Sequence, residues 1–289
     1  MVSTTHLEVN AGDAVLSCAV HGEGPLVVCA HGFPDCARTF REQVPALVQA
    51  GYRVAMPTMR GYAPSTPSSR GRYDPRTLGR DLLAIAARVA PNERVFLVGH
   101  DWGAVAAYAA ATLDAERVRG LVTLAVPPLR VAALRFLRPA QLRRSSYIGL
   151  FQLGAHGTAR LVDNDLALVE ELWRSWSPGY ACPTSELEHI KAAIRPHPDA
   201  VLGYYRALAT RRVLFGRAGR VVLEPVRVPS CYLHGADDGC IGAELARELE
   251  PAYSKGLTSA ILQDCGHFLH LERPEEVNRR LLAFLRDCG

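Results

Sequence analysis

Short apolar runs alternate with helical patterns along most of this 289-residue sequence. Seven runs have the length and composition of buried strands: Val15 to Val20, Leu26 to Ala30, Arg53 to Met56, Val95 to Val98, Leu121 to Ala125, Ser230 to Leu233 and Ser259 to Leu262. The intervening segments favour helices over Thr39 to Ala50, Thr77 to Ala90, Ala104 to Leu113, Ala243 to Glu250 and Pro274 to Leu285. Strands this short and apolar, separated by helices, are typical of a parallel sheet covered on both faces. The pattern predicts an α/β protein with a mostly parallel central sheet flanked by helices.

The middle of the sequence breaks this alternation. From Pro127 to about Val228, strand-like runs largely vanish, and helical stretches interrupted by proline and glycine replace them. An insertion between two strands costs little when its ends lie in a surface loop. We therefore expect an α/β core made of residues 1–127 and 229–289, with a helical cap, or lid, inserted as residues 128–228.

Composition and cysteine spacing give no sign of a nucleic-acid-binding, membrane-bound or metal-binding protein. A formal net charge of +4, without a dense basic tract, gives no reason to expect binding to nucleic acid or a membrane. Eight cysteines show neither a CxxC pair nor metal-ligand spacing, so we expect reduced, buried thiols and no metal. Residues 1–13 lack a signal-peptide pattern, and no apolar segment reaches the roughly 20 residues that span a bilayer. We expect a cytoplasmic protein, and the sequence leaves a homodimer open.

One turn carries the most chemical information. Gly99-His100-Asp101-Trp102-Gly103 follows the apolar run Val95 to Val98 and precedes an alanine-rich helical pattern. A strand, sharp turn and helix in this order are typical of a nucleophile elbow, where small residues let the backbone bend tightly and present the central side chain. Asp101 is therefore the candidate nucleophile. Because a Gly-x-Asp-x-Gly pentad also arises by chance as a simple turn, the assignment depends on partners elsewhere in the chain.

An aspartate at this position restricts the chemistry. A carboxylate attacks an electrophilic sp³ carbon and forms an ester, whereas its attack on an ester or amide carbonyl gives an anhydride that collapses back. The expected substrate is an epoxide or an alkyl halide rather than a peptide or a lipid.

The other members of a catalytic triad are expected in the chain order nucleophile, acid, histidine. His267 lies just beyond the last predicted strand, and we favour it as the general base over the neighbouring His270. His100 is expected to pack beneath the elbow. Asp238 follows the preceding strand and is favoured as the acid that orients His267, with Asp237 as the alternative.

A further loop follows the predicted strand Leu26 to Ala30. Its sequence, His31-Gly32-Phe33-Pro34, can aim the backbone N–H of Phe33 at the site beside that of Trp102. Two such donors would form an oxyanion hole for the tetrahedral intermediate that appears when water attacks the ester. The sequence leaves open whether the peptide bond before Pro34 is cis.

Five motifs together resemble the α/β-hydrolase superfamily and specifically its epoxide hydrolases, and the match covers nearly the whole chain. They are His31 to Pro34, Arg60 to Ser65, Gly99 to Ala104, His234 to Asp238 and Gly266 to Phe268. Ala63 departs from the pattern, since the family more often has glycine there, and this bears on the loop conformation rather than on the chemistry.

The resemblance implies two cap tyrosines whose hydroxyl groups bind and protonate the epoxide oxygen. Tyr147, which begins the stretch ending in Phe151-Gln152, is similar to the family's first tyrosine motif. Tyr205 directly precedes Arg206 and matches the second motif better than its rival Tyr204 does. A single tyrosine would more often simply pack in the cap, but two at the family spacing favour the catalytic role.

We therefore expect an epoxide hydrolase that needs no metal or organic cofactor. Asp101 would form a hydroxyalkyl ester with a small-molecule epoxide, and water activated by His267 would release a vicinal diol. Substrate contacts are expected from five aromatic residues: Phe33, Trp102, Phe151, Trp173 and Trp176. Such residues suit an aryl or bulky epoxide, yet they are equally suited to the core of the cap.

Three alternatives stay open. A haloalkane dehalogenase needs halide-binding N–H groups; Phe33 speaks against one form of that site, whereas Trp173 or Trp176 could supply the other. A haloacid dehalogenase is less favoured, because Trp102 rather than an arginine follows the nucleophile. A non-catalytic ligand-binding homologue is also less favoured, because no member of the triad is missing from the sequence.

Overall fold

A single eight-stranded sheet forms the centre of the protein, whose computed structural model describes residues 4–288. The strands are β1 Thr4–Asn10, β2 Val15–His21, β3 Leu26–Ala30, β4 Arg53–Pro57, β5 Val95–His100, β6 Val118–Leu124, β7 Ser230–Gly235 and β8 Leu257–Leu262. Their order in the sheet is β1-β2-β4-β3-β5-β6-β7-β8. The β1–β2 and β2–β4 pairs are antiparallel, and every later pair is parallel. The predicted mostly parallel sheet is confirmed.

All seven predicted strands are present, with small shifts of their ends. The sequence did not predict β1, an edge strand in which Val9 alone is fully buried. A strand that packs so little apolar surface has no continuous hydrophobic run, and the alternation of Leu7 with Val9 was its one signal.

Within residues 4–288, thirteen α-helices accompany the sheet. They are α1 Gln43–Gln49, α2 Pro75–Val89, α3 Trp102–Leu113, α4 Leu129–Ala132, α5 Pro139–Arg144, α6 Ser146–Phe151, α7 Ala155–Trp176, α8 Thr184–Ile194, α9 Pro198–Leu208, α10 Arg211–Leu214, α11 Arg217–Arg220, α12 Leu269–Glu272 and α13 Pro274–Asp287. Non-helical backbone at Asp163 to Leu166 interrupts α7. The sheet lies between two apolar layers, one containing α2 and α3 and the other containing α1 and α13.

The predicted helix over Ala243 to Glu250 is wrong. The structure has only two 3₁₀ turns there, Ala243–Leu245 and Glu250–Ala252. The carbonyl groups of Leu245 and Arg247 accept hydrogen bonds from the Arg135 guanidinium, and Glu248 has a φ of 53°. These carbonyls therefore bind a side chain from elsewhere in the fold instead of amides four residues on, as an α-helix requires.

Helices α4 to α11 fill the segment between β6 and β7, and this part of the described chain contains no β-strand. The helical content is as the sequence indicates. The division into a core of residues 1–127 and 229–289 and a cap of residues 128–228 stays a prediction, with Met1 to Ser3 and Gly289 outside the described residues. Among the described helices, none combines the length and the apolarity needed to cross a membrane.

Candidate active site

Asp101 occupies a sharp turn between β5 and α3, with a φ of 53° and a ψ of −118°. This strained backbone conformation raises its carboxylate at the end of the strand. Gly103 is required here, because a Cβ atom at this position would lie 1.9 Å from the Ala30 carbonyl oxygen. The sequence thus builds an elbow that packs directly against β3, with Asp101 at the positive end of the α3 dipole.

The two oxygens of the Asp101 carboxylate have different neighbours. The backbone N–H of Phe33 donates a hydrogen bond of 2.8 Å to Oδ1, while Oδ2 lies 3.6 Å from Nε2 of His267. Burial by itself would raise the pKa of Asp101, but the nearby His267, assisted by the Phe33 N–H, holds it below its usual value. Asp101 is therefore an ionised carboxylate at neutral pH.

His267 lies between two carboxylates. Its Nδ1 is 2.9 Å from Oδ2 of Asp238, and its Nε2 faces Asp101 without a hydrogen bond that meets normal geometry. Burial opposes the charged form, but the charges of Asp238 and Asp101 outweigh burial and raise the pKa of His267 to about 10. The backbone N–H of His267 donates to the Trp176 carbonyl oxygen at 3.0 Å, which ties its loop to the end of α7.

Asp238 is buried and fixed in place. Its Oδ1 accepts hydrogen bonds from the N–H groups of Cys240 and Ile241 at 2.7 and 2.8 Å, leaving Oδ2 for His267. Asp237 is exposed and makes no ion pair or side-chain hydrogen bond with His267 among the described residues. The structure thus brings Asp238, rather than Asp237, to His267.

The other nearby histidines contact different groups. His100 Nε2 donates to the His267 carbonyl oxygen at 2.9 Å, and so supports the histidine loop from below. His270 Nε2 lies 2.6 Å from the Thr39 hydroxyl oxygen. Burial lowers the pKa of His100 to about 3, which keeps its ring neutral.

Two groups among the described residues have ligand atoms close enough to hold a metal ion, namely Asp238, Cys240 and His267, and Asp35, His100 and His270. The first group is already engaged: the Asp238 oxygens accept three hydrogen bonds, and burial raises the pKa of the Cys240 thiol well above its usual value. In the second group, Asp35 Oδ2, His100 Nδ1 and His270 Nδ1 have no partner in the described chain. One bridging water satisfies such a group as well as a cation does, so its donor set does not specify a metal.

The candidate tyrosines differ in their hydrogen bonds. Tyr204 donates its hydroxyl to the Arg60 carbonyl oxygen at 2.7 Å. Tyr205 is 2% exposed, and its hydroxyl has no partner among the described residues. Tyr147 lies beside it with ring centroids 5.6 Å apart, and its hydroxyl is 3.5 Å from the Cys240 sulfur. Tyr147 and Tyr205 therefore lie side by side, whereas the Tyr204 hydroxyl is bound to the backbone of another loop.

A cavity of about 560 Å³ joins these groups. Its polar lining residues are Asp101, Ser145, Tyr147 and Tyr205. The remaining wall consists of apolar and aromatic residues: Pro75, Trp102, Val105, Val126, Leu129, Ala133, Phe136, Leu137, Ile148, Leu208, Leu214 and Ile241. A pocket of this kind accepts a mainly apolar molecule with one reactive polar end.

Of the five predicted substrate contacts, only Trp102 lines this cavity. Trp173 stacks on Phe268 with centroids 3.4 Å apart and donates its Nε1–H to the Pro34 carbonyl oxygen, so the prediction for Trp173 is corrected. The other three aromatic residues form the layer behind the cavity wall, where Phe33 packs edge-on against Phe151 and Trp176. Their apolar rings are buried by neighbouring aromatic residues and do not reach the cavity surface. The Phe33–Pro34 peptide bond is cis.

Two contributors to the site were not singled out from the sequence. Gln141 on α5 donates a hydrogen bond to the Cys240 carbonyl oxygen at 2.8 Å and accepts one from the Gly242 N–H at 3.0 Å. These two hydrogen bonds join the helical segment to the loop that carries Asp238. Cys240 places its thiol against the Tyr147 hydroxyl. In the sequence, Cys240 was marked only by its place two residues after Asp238. Nothing in the sequence marked Gln141, a lone glutamine on a polar helix.

Comparison with known proteins shows the family to which this chain belongs. A model described as the alpha/beta hydrolase family matches residues 27–280. The "AB hydrolase superfamily protein YfhM" of Bacillus subtilis (strain 168) is 30% identical over 287 residues, which cover 96% of this chain and 97% of that protein. "Epoxide hydrolase A" of Mycobacterium tuberculosis is 29% identical and 90% covered in both chains. The crystal structure of Epoxide Hydrolase A from Mycobacterium thermoresistibile superposes with a TM-score of 0.82 at 29% identity, over 99% of this chain and 98% of that one. This chain therefore belongs to the alpha/beta hydrolase family.

Proposed function

We propose that this protein is an epoxide hydrolase that uses a covalent Asp101 ester. One observation carries the proposal: Asp101 on the nucleophile elbow lines the same apolar cavity as Tyr147 and Tyr205, and the Tyr205 hydroxyl has no partner in the described chain. A buried hydroxyl without a partner is costly, so its persistence suits a role in binding an oxygen atom of a ligand. The names of two similar proteins, both called Epoxide hydrolase A, support the same activity.

In the first step, Oδ2 of Asp101 attacks one epoxide carbon. The Phe33 N–H holds Oδ1, so Oδ1 becomes the carbonyl oxygen of the new ester. The carbon–oxygen bond of the epoxide breaks, and Tyr147 or Tyr205 transfers its proton to the departing oxygen. Burial holds the pKa of both tyrosines well above the usual value, which keeps them protonated until that oxygen develops negative charge.

Ester formation changes His267. In the free enzyme the Asp101 charge contributes to the raised pKa of about 10, so His267 carries a proton. Alkylation of Asp101 removes that charge, so the pKa of His267 falls. His267 can then give its proton to the tyrosine that protonated the epoxide oxygen. The first step therefore converts His267 from a cation into a base at the moment when a base is needed.

In the second step, neutral His267, oriented by Asp238, takes a proton from water. The resulting hydroxide attacks Cγ of the Asp101 ester, and the N–H groups of Phe33 and Trp102 stabilise the oxyanion. The intermediate collapses, and the diol leaves with the proton that His267 took from water. The second water proton, left on the Asp101 carboxyl group, then passes to His267, which restores the Asp101 carboxylate and the protonated His267. No cofactor takes part in this scheme.

Two features of the geometry weigh against dehalogenation. The Nε1–H of Trp173 is committed to Pro34, so that side chain is not free to bind halide. The unpartnered Tyr205 hydroxyl has an evident use in opening an epoxide and none in displacing a halide.

The test is product analysis with two electrophiles of similar size. Purified protein is incubated with styrene oxide and, separately, with a bromoalkane, and diol and bromide are measured. We expect diol from the epoxide and no bromide above the rate given by the Asp101→Ala variant. Enzyme-dependent bromide release without diol would overturn the proposal in favour of a haloalkane dehalogenase. A cytoplasmic location and a homodimer stay predictions, which cell fractionation and molar-mass measurement can test.

A further inference from the structure

The charge of the chain is distributed very unevenly. Residues 127–162 and 200–223 contain eleven arginines and no aspartate or glutamate, although the whole chain has a net charge of only +4. The rest of the sequence holds 22 basic and 29 acidic residues and is therefore net acidic. We expected no membrane binding because the net charge of the whole chain is small. That net charge conceals the uneven distribution of basic and acidic residues.

The two arginine-rich segments come together in the fold. Leu137 from the first segment and Leu214 from the second line the same cavity, the one that contains Asp101. Arg130 also donates a hydrogen bond of 3.1 Å to the Leu223 carbonyl oxygen and so joins the two segments directly. We call the surface formed by residues 129–144 and 208–223 the mouth surface.

Large apolar side chains are exposed on the mouth surface. The exposed fractions are 82% for Leu134, 65% for Leu137, 59% for Leu214 and 75% for Phe215. Leu137 and Leu214 are exposed and also line the cavity, so they stand at its opening. Apolar groups clustered around the entrance of an apolar pocket indicate a contact site rather than scattered surface residues.

Several arginines of the mouth surface have no acidic partner. Arg138, Arg143, Arg211, Arg217 and Arg220 are exposed, and none of them makes an ion pair with another described residue. In contrast, Arg135, Arg144 and Arg212 pair with acidic residues of the α/β core. The free guanidinium groups therefore present positive charge to whatever approaches the opening of the cavity.

We propose that the mouth surface docks on an anionic lipid bilayer, with Leu134, Leu137, Leu214 and Phe215 entering the headgroup region. Arginines beside exposed apolar side chains are the arrangement that binds an acidic lipid surface without spanning it. The cavity then opens toward the hydrocarbon, and an apolar ligand passes from lipid to pocket without crossing water.

A second copy of the chain fits this surface poorly. In a twofold dimer the same patch meets itself, which would place unpaired arginines against unpaired arginines, since neither of the two segments contains an acidic residue. A bilayer that contains anionic lipid supplies both the opposite charge and an apolar layer.

The test is flotation of the purified protein with vesicles of phosphatidylcholine alone and of phosphatidylcholine mixed with phosphatidylglycerol. It requires no turnover, so its result is independent of the proposed epoxide hydrolysis. We expect at least tenfold stronger binding to the anionic vesicles. Raising the salt from about 0.1 M to about 1 M shortens the Debye length from about 10 Å to about 3 Å and should release most of the protein.

Matched variants identify the surface. Replacing Arg138, Arg211 and Arg217 with glutamate should weaken binding to anionic vesicles at least tenfold, whereas Arg279→Glu on α13, where the side chain is 70% exposed, should leave it unchanged. Leu214→Ser with Phe215→Ser should weaken binding, and Val15→Ser on β2 should not. All these side chains are exposed, and thermal melting checks that each variant is folded.

Three results would overturn the proposal. These are equal binding to neutral and anionic vesicles, no binding to either at low salt, and unchanged binding by the triple glutamate variant. A dimer of the wild-type chain that Leu214→Ser with Phe215→Ser dissociates would also overturn it, because the mouth surface would then serve self-association.

Discussion

The ends of the strands and the helical segment contribute to the site in different ways. At the strand ends, Asp101, Asp238 and His267 are buried and held by short hydrogen bonds from the backbone and from one another. The helical segment supplies Tyr205, whose hydroxyl has no partner in the described chain, and Tyr147, which is half-buried. In the first region the charged groups lie against one another, with His267 between Asp238 and Asp101, whereas in the second the Tyr205 hydroxyl is left for a ligand. In our account the strand ends form and hydrolyse the ester, and the helical segment acts only when the epoxide opens.

The largest effect should come from the nucleophile. Asp101→Ala removes the only group that can form the ester, so diol production should fall at least about 10,000-fold. Asp237→Ala is the matched control, since that carboxylate is exposed and lies next to the acid without contacting His267. Diol assays on both variants check this, and persistent diol formation by Asp101→Ala would contradict the mechanism.

Replacing the base should separate the two steps. His267→Gln removes the group that activates water, so ester hydrolysis should slow by about 100- to 10,000-fold while ester formation continues. The Asp101 peptide should then gain the mass of the substrate in a mass spectrum.

The acid pair sharpens this test. Asp238→Asn should also slow ester hydrolysis, because His267 loses the charge that orients it, whereas Asp237→Asn should behave as the wild type. Equal effects of the two substitutions would show that the histidine is oriented by some other group.

The helical segment should affect the first step alone. Tyr205→Phe should slow ester formation by about 100-fold without lowering stability, since its hydroxyl forms no hydrogen bond with described residues. Tyr204→Phe should leave the chemistry largely intact but destabilise the fold by about 1 kcal/mol, because it removes the hydrogen bond to Arg60. Pre-steady-state kinetics measure the rate of ester formation, and urea unfolding measures the stability. If Tyr204→Phe slowed ester formation and Tyr205→Phe lowered the stability instead, the assignment would be refuted.

A further effect should appear in the pH dependence of stability. The pKa of His267 is raised to about 10 in the folded protein, from about 6.5 in an unfolded chain. Its charge therefore stabilises the fold fully below about pH 6.5, and this stabilisation is lost as the pH rises to about 10. The free energy of unfolding should fall over that range more steeply for the wild type than for His267→Gln. Parallel curves for the two proteins would contradict the raised pKa.

Much of the scaffold was predictable because buried parallel strands are continuous apolar runs, and the groups of the site follow those runs. Asp101 directly follows β5, and Phe33 and His267 lie three and five residues beyond the ends of β3 and β8, so their meeting at one edge of the sheet follows from the topology. The choice between Tyr204 and Tyr205 needed the structure, since adjacent residues on a helix differ only in the direction in which they point.

Other features depend on long-range contacts that a local pattern does not contain. The predicted helix after Asp238 is replaced by 3₁₀ turns because Arg135, more than a hundred residues away in sequence, binds its carbonyl groups. Trp173 was expected in the pocket on residue type alone, but its stacking on Phe268 fixes it elsewhere.

The most direct test of the covalent mechanism is a single turnover of styrene oxide in oxygen-18 water, followed by mass spectrometry of the Asp101 peptide and the diol. If Asp101 forms the ester and water attacks its Cγ, the heavy oxygen enters the Asp101 carboxylate and the first diol released contains none. If water attacks the epoxide directly, the heavy oxygen enters the diol and Asp101 stays unlabelled, and that result would contradict the account.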